Sequence, residues 1–136
     1  MHITLEADYA VRIMQVLCKA GNVRIDAREI SKRAFVTQSF TLKILRKLAA
    51  AELVRSFKGT RGGYIAARAP QDITLLEVIE AIEGTYHFSR CLQQDHVCTM
   101  GTSGICSCQR VFEKITDSVR MQLKNNTFKD LMEDDR

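Results

Sequence analysis

Proline is almost missing from this chain, with one among 136 residues, and glycine is held to seven. So few breakers leave little room for long irregular connections and argue for a largely helical protein. No segment approaches the ~20 consecutive apolar residues of a membrane span, and the N-terminus lacks the apolar core of a signal peptide. No membrane partner is expected, and the cytoplasm, where thiols stay reduced, is the expected location. The sequence has no internal repeat and no low-complexity tract. It also shows no nucleophile–base pairing, no paired carboxylates and no cofactor-binding glycine fingerprint after a strand, so an enzyme is the least expected class. Hydrophobic residues at 46% and charged residues at 26% are those of an ordinary globular protein, long enough for one domain with a real core.

What is present is unevenly placed. Residues 1–68 carry 13 Lys and Arg against 5 Asp and Glu, whereas residues 69–136 carry 7 against 11. A basic half beside an acidic one fits a nucleic-acid contact surface, and equally a solvated lysine-rich face. Four of the five cysteines fall in Cys91-x6-Cys98-x7-Cys106-x-Cys108. In a reducing compartment such clustering points to metal ligands or redox sensors before structural disulfides.

The apolar periodicity predicts a helix over 5–20, with Ala10, Ile13, Met14 and Leu17 on one face and Gly21 as its stop. Cys18 lies beside that stripe and reads as a small buried hydrophobe. Asp26-x-x-Glu29 predicts a capping box opening a helix through Ala34, and Phe35-Val36-Thr37 a tight connection. A second helix over 38–51 would turn Phe40, Ile44, Leu45 and Leu48 inward. Two short helices across such a turn have the dimensions of a helix-turn-helix. Leu53–Phe57 and Tyr64–Ala66 read as paired strands around the tip Lys58-Gly59-Thr60-Arg61-Gly62-Gly63, which makes the unit a winged helix. The expected DNA contacts are Thr37 at the end of the turn, Gln38, Ser39, Lys43, Arg46 and Lys47 on the second helix, and Lys58, Arg61 and Gly62 on the wing, facing a double-stranded operator. A purely structural hairpin with solvated charges is the plain alternative.

Pro70 marks the boundary between a winged helix-turn-helix domain, 1–70, and a second part, 71–136. Thr74-x-x-Glu77 predicts another capping box, with Leu75, Leu76, Ile79 and Ile82 on one helical face and Gly84 as the stop. The loop 84–108 is too long for a mere connector. From about 108 to 124, Val111, Phe112, Ile115, Val119 and Leu123 repeat at helical spacing; this long helix needs a partner surface, and a second copy of the chain is the economical one. Thr127–Leu131 reads as a terminal turn followed by a frayed acidic tail. The fold class is thus mainly α with a small β-wing, a winged helix-turn-helix plus a long dimerisation helix.

Taken in order, Ile3-Thr4-Leu5, Asp8-Tyr9-Ala10-Val11-Arg12, Lys43-Ile44-Leu45, Leu53-Val54, Gly62-Gly63-Tyr64, Ile73-Thr74-Leu75, Ile82-Glu83-Gly84, the spaced cysteines and Thr127-Phe128-x-x-Leu131 resemble the winged-helix iron–sulfur transcription regulators that include IscR and NsrR. The resemblance covers nearly the whole chain. It implies a homodimeric regulator, in the repressor role, with one 2Fe–2S or 4Fe–4S cluster per subunit. The family's three-cysteine pattern maps onto Cys91, Cys98 and Cys106, with Phe112 at the family's aromatic position; Cys108 is then an extra thiol or alternative ligand. Some relatives take a histidine three residues after the third cysteine, where this chain has Gln109. Others take an acidic residue at the position of Asp8, donated by the other subunit; an oxygen ligand there suits a sensor, because it leaves one iron more labile. Thr41 and Leu42 depart from the family's aromatic–leucine pattern, and Glu52 stands where a glycine often ends the helix.

The residues keep alternatives open. Iron–sulfur clusters and zinc both take thiolates, though zinc favours ligands two to four residues apart, closer than the gaps here. His87 and His96 are further candidates, each more simply a solvated loop histidine. Asp8 in a first helical turn is favoured by the dipole and can pair with Arg12. The alternative functions are a cluster-free winged-helix regulator that senses oxidant through Cys98 and Cys106 or Cys108, and a zinc-stabilised regulator.

Overall fold

The structure is a computed structural model describing residues 2–102 and 104–134. Helix α1 (Leu5–Ala20) is capped by Thr4, whose side chain accepts from the Ala7 amide, and stopped by Gly21 at φ 63°. The expected stripe is buried, and Cys18 with it. Burial pushes that thiol's pKa up to about 11 and leaves it inert.

Helix α2 (Ala27–Ala34) has half of the expected capping box. Asp26 accepts from the Glu29 amide at 2.8 Å, but the Glu29 carboxylate turns down the helix to Arg33 at 3.0 Å. Phe35, left-handed at φ 56°, makes the turn. Helix α3 (Gln38–Ala50) then starts under the cap of Thr37. Ile44, Leu45 and Leu48 are buried as expected. Phe40 is only half buried, edge-on to Tyr9 with ring centroids 5.4 Å apart, and Thr41 takes the fully buried place beside it. The helix ends in a Schellman arrangement, with the Leu53 amide on the Leu48 carbonyl, the Glu52 amide on the Ala49 carbonyl, and Glu52 itself at φ 60°.

Strands β1 (Val54–Phe57) and β2 (Gly63–Ala66) pair antiparallel, Val54 opposite Ala66 and Phe57 opposite Gly63. Ile25, between α1 and α2, exchanges both backbone hydrogen bonds with Tyr64 and so adds a third edge to the wing root. A Cβ on Gly63 would meet the Ile25 carbonyl at 2.9 Å, and only glycine permits that approach. Arg24 stacks its guanidinium 3.6 Å from the centroid of Phe57 and donates to the Arg61 carbonyl at 3.2 Å, bracing the tip.

Pro70 opens a short 3-10 turn (Pro70–Asp72), and helix α4 (Leu75–Glu83) follows with the reciprocal Thr74–Glu77 capping box in full. Leu76 and Ile79 are buried as expected; Val78, off the expected face, is buried completely because α4 packs lengthwise on α1. Helix α5 (Ser107–Lys124) is long and amphipathic, and Thr116 is its one buried residue. The C-terminal segment is not the expected turn and tail. It is a helix, α6 (Phe128–Asp134), tied to α4 by the Leu75 amide on the Asn126 carbonyl and the Phe128 amide on the Ile73 carbonyl. Phe128 sits at 0% exposure in the same core as Ile13, Ile44 and Leu48, so one core spans both halves of the chain. Among the described residues no helix is long and apolar enough to cross a membrane.

Candidate DNA interface and thiol site

The helix-turn-helix and wing leave the expected DNA contacts in different states. Thr37 spends its hydroxyl on the Phe40 amide at 3.3 Å. Gln38, Ser39 and Arg46 are exposed on α3, and Lys58 and Arg61 at the wing tip. Gly62 turns the tip, its amide on the Gly59 carbonyl; a Cβ there would lie 2.6 Å from the Phe57 carbonyl oxygen, so the site tolerates no side chain. Lys47 and Lys43 are drawn to one carboxylate on α1, with Nζ 2.6 and 3.9 Å from Glu6 Oε1. Nothing in the residue spacing announces Glu6 as their partner, because α1 and α3 meet only in the tertiary fold.

The cysteine loop leaves α4 at Gly84 (φ 81°), makes a 3-10 turn at Arg90–Leu92, and returns at Cys106, the N-cap residue of α5. Its entry is clamped. The Glu80 carboxylate takes the Tyr86 amide at 2.6 Å and both arms of Arg120. The Phe88 amide donates to Thr116 Oγ1 at 3.0 Å while the Phe88 and Phe112 rings pack 5.2 Å apart, which is what an aromatic at 112 does here.

Cys98 and Cys106 sit in nests of hydrogen-bond donors. The Thr102 amide leads in holding the Cys98 thiol below its ordinary pKa, followed by the Thr102 hydroxyl and the Met100 amide. The Gln109 amide, then the Cys108 amide, do the same for Cys106, and the Thr102 hydroxyl reaches that thiol too. Thr102 Oγ1 lies 3.6 Å from Cys98 Sγ, and the same hydroxyl contributes, after the two amides, to lowering Cys106. Its i+4 spacing from Cys98 was the only hint the sequence carried. Cys91 stands apart, its Sγ 3.3 Å from Ser89 Oγ, opening on a cleft of about 540 Å³ shared with His87, His96 and Arg120. Gln109 bridges the two parts, Nε2 to the Cys91 carbonyl at 3.5 Å and Oε1 to the Gly104 amide at 2.9 Å. Cys108 is exposed, and Asp8 pairs with Arg12 at 3.0 Å.

Among the described residues no three His, Cys, Asp or Glu side chains come close enough to hold a metal ion. The donor chemistry of Cys98 and Cys106, thiols already receiving N–H and O–H hydrogen bonds, is that of sulfur ligands to iron. Gly101 (φ 67°) and Gly104 (φ 87°), with open space where a Cβ would stand, give the loop freedom to close on a group larger than a single ion.

A helix-turn-helix followed by a cation-tipped hairpin defines a winged-helix DNA-binding protein. The sequence profile of the Rrf2 family, described as iron-dependent transcriptional regulators, matches residues 3–134, and the chain belongs to that family. It is 24% identical to the HTH-type transcriptional regulator NsrR of Bacillus licheniformis over 135 residues, covering 97% of this chain and 92% of that one. Its fold is similar to that of T. potens IscR, with TM-score 0.78 and 24% identity over 100% of this chain and 89% of that one. It is also similar to CymR, the global cysteine regulator of B. subtilis, with TM-score 0.76 and 23% identity over 96% and 95% of the two chains. The protein is a transcriptional regulator and not an enzyme.

Proposed function

We propose that this regulator is a cytoplasmic, homodimeric repressor whose operator affinity is set by an iron–sulfur cluster in loop 84–108, reporting redox state, nitric oxide or iron supply. Cys91, Cys98 and Cys106 hold the cluster, Asp8 of the partner subunit supplies an oxygen ligand, and Cys108 is a reserve thiol. What carries the reading is the Thr102 hydroxyl 3.6 Å from Cys98 Sγ, together with the hydrogen-bond donors of the loop and of the start of α5 that hold Cys98 and Cys106 below the ordinary thiol pKa. A cluster bound there supplies an iron centre whose charge and ligation respond to oxidants and small ligands.

The chain's own residues carry the response. Loop order reaches α4 through Glu80, and α1 through Glu83, which accepts the Thr4 amide at 2.5 Å. Asp8 lies one turn further along α1, the helix on which α3 packs. A change in the loop thus shifts the population of DNA-competent dimers. The second copy covers the apolar stripe of α5, where Val111 and Met121 are exposed. Gln38, Ser39 and Arg46 read base edges while Lys58 and Arg61 take the backbone or minor groove.

Anaerobic isolation tests the cofactor. About two or four irons with matching sulfide per chain, and visible charge-transfer absorption lost in Cys98→Ser, are expected. A colourless protein with stoichiometric zinc sinks the cluster and leaves the zinc-stabilised regulator. A salt-dependent mobility shift on DNA upstream of its own gene tests the regulator. An Asp8→Ala protein that keeps both cluster and DNA response removes the shared site.

The same two lowered thiols favour one second reading, a thiol switch. Cys98 and Cys106 (or Cys108) with one organic hydroperoxide would give a disulfide, an alcohol and water. Peroxide-dependent DNA release by iron-free protein, abolished in Cys98→Ser, distinguishes it.

A further inference from the structure

The cations on the DNA side are not equivalent. Arg46, Lys58 and Arg61 have no ion-pair partner among the described residues, and the Arg61 contact to Arg24 runs through its backbone carbonyl. Lys43 and Lys47, one helical turn apart on α3, face a single carboxylate from another helix. Glu6 is 19% exposed, so its pair with Lys47 at 2.6 Å is partly shielded from water and salt. It also sits in the first turn of α1, where the helix dipole favours a negative charge. A phosphate approaching Lys47 has to displace a carboxylate already fixed by the fold, and has to leave that carboxylate facing its own negative charge.

We infer that Glu6 is a specificity-determining residue for DNA: it withholds Lys47, and in part Lys43, from the phosphate backbone. The inference rests on the winged helix binding duplex DNA through α3. Its effect is on sequence-independent affinity, which comes almost wholly from Lys and Arg on phosphates. With two lysines held back, weak binding to any duplex is suppressed. Base reading by Gln38, Ser39 and Arg46 then accounts for a larger share of operator affinity.

The test is fluorescence anisotropy with a random-sequence duplex across a potassium chloride series, using full-length wild type, Glu6→Gln, Lys47→Gln and the double variant. Each phosphate contact contributes about 0.9 to the slope of log affinity against log salt. Glu6→Gln is expected to steepen the slope by about 1 to 2 and to tighten low-salt binding about tenfold. Lys47→Gln is expected to leave the wild-type slope unchanged and to remove about one unit in the Glu6→Gln background. A mere brace between α1 and α3 would alter melting without moving these slopes. Lys47→Gln flattening the slope by about one unit in an otherwise wild-type chain overturns the inference, and it does so even if Glu6→Gln fails to fold. Wild type with no duplex binding at all overturns the DNA reading itself, a distinct failure.

Discussion

Glu80 on α4 holds Arg120 on α5 through two hydrogen bonds, Nε to Oε2 at 3.1 Å and Nη2 to Oε1 at 2.9 Å, and the same Oε2 takes the Tyr86 amide. Burial pushes Glu80's pKa up, but Arg120 and the Tyr86 amide outweigh it and hold the carboxyl below its ordinary 4.5. A depressed folded value gives stability that is present above the unfolded pKa and lost as pH falls through the folded one. Glu80→Gln is expected to cost about 1 kcal/mol at pH 7, after allowing for solvent screening at Arg120. Urea titrations at pH 7 and at the lowest pH where the fold survives should show the gap to wild type closing; an equal gap at both would refute the assignment.

Thr41 is fully buried, and its hydroxyl has no hydrogen-bond partner among the described residues. Valine has nearly the same shape and no group to leave unsatisfied, so Thr41→Val should stabilise the protein by about 1 kcal/mol. A melting temperature raised by a few degrees is the expected readout, and a lowered one would mean the hydroxyl has a partner.

Glu52 closes α3 at φ 60°, a conformation that costs a side-chain-bearing residue about 1 kcal/mol. Glu52→Gly keeps both Schellman hydrogen bonds and removes that strain. The expected gain is about 0.5 kcal/mol once the greater freedom of the unfolded chain is counted. Chemical denaturation reads it directly, with a loss of stability as the contrary result.

In metal-free protein near neutral pH, iodoacetamide should modify Cys98 and Cys106 well before Cys18. Backbone N–H groups hold the first two thiols low, whereas burial holds Cys18 at about 11. Peptide mapping against time gives the order, and early labelling of Cys18 would contradict the burial.

The helices were legible because their faces and caps are written locally. Thr74-x-x-Glu77 closes as a full capping box, and Gly21 and Gly84 stop their helices as expected. Asp26-x-x-Glu29 formed only half, because Arg33 one turn on competes for Glu29. The site was less legible. Cysteine spacing identified the loop, but the contact of the Thr102 hydroxyl with Cys98 depends on turns that spacing does not specify. Glu6 and Arg24 acquire their partners only through packing between elements 37 to 41 residues apart. The segment Thr127–Leu131 reads in sequence as a terminal turn and not as the start of a helix, since one aromatic in a short acidic segment carries no periodic signal.

Phe128 has a consequence for how the two halves of the chain depend on each other. Losing a fully buried aromatic ring costs about 3 to 5 kcal/mol, a large part of the 5 to 15 kcal/mol that holds a domain together. Helix α3 and the root of the wing therefore share an interior that is completed only by a residue from the second half of the chain. The two halves are expected to melt as one cooperative unit, with no separate transition for the winged helix. Damage confined to α6, far along the sequence from every expected DNA contact, is then felt as a loss of DNA binding.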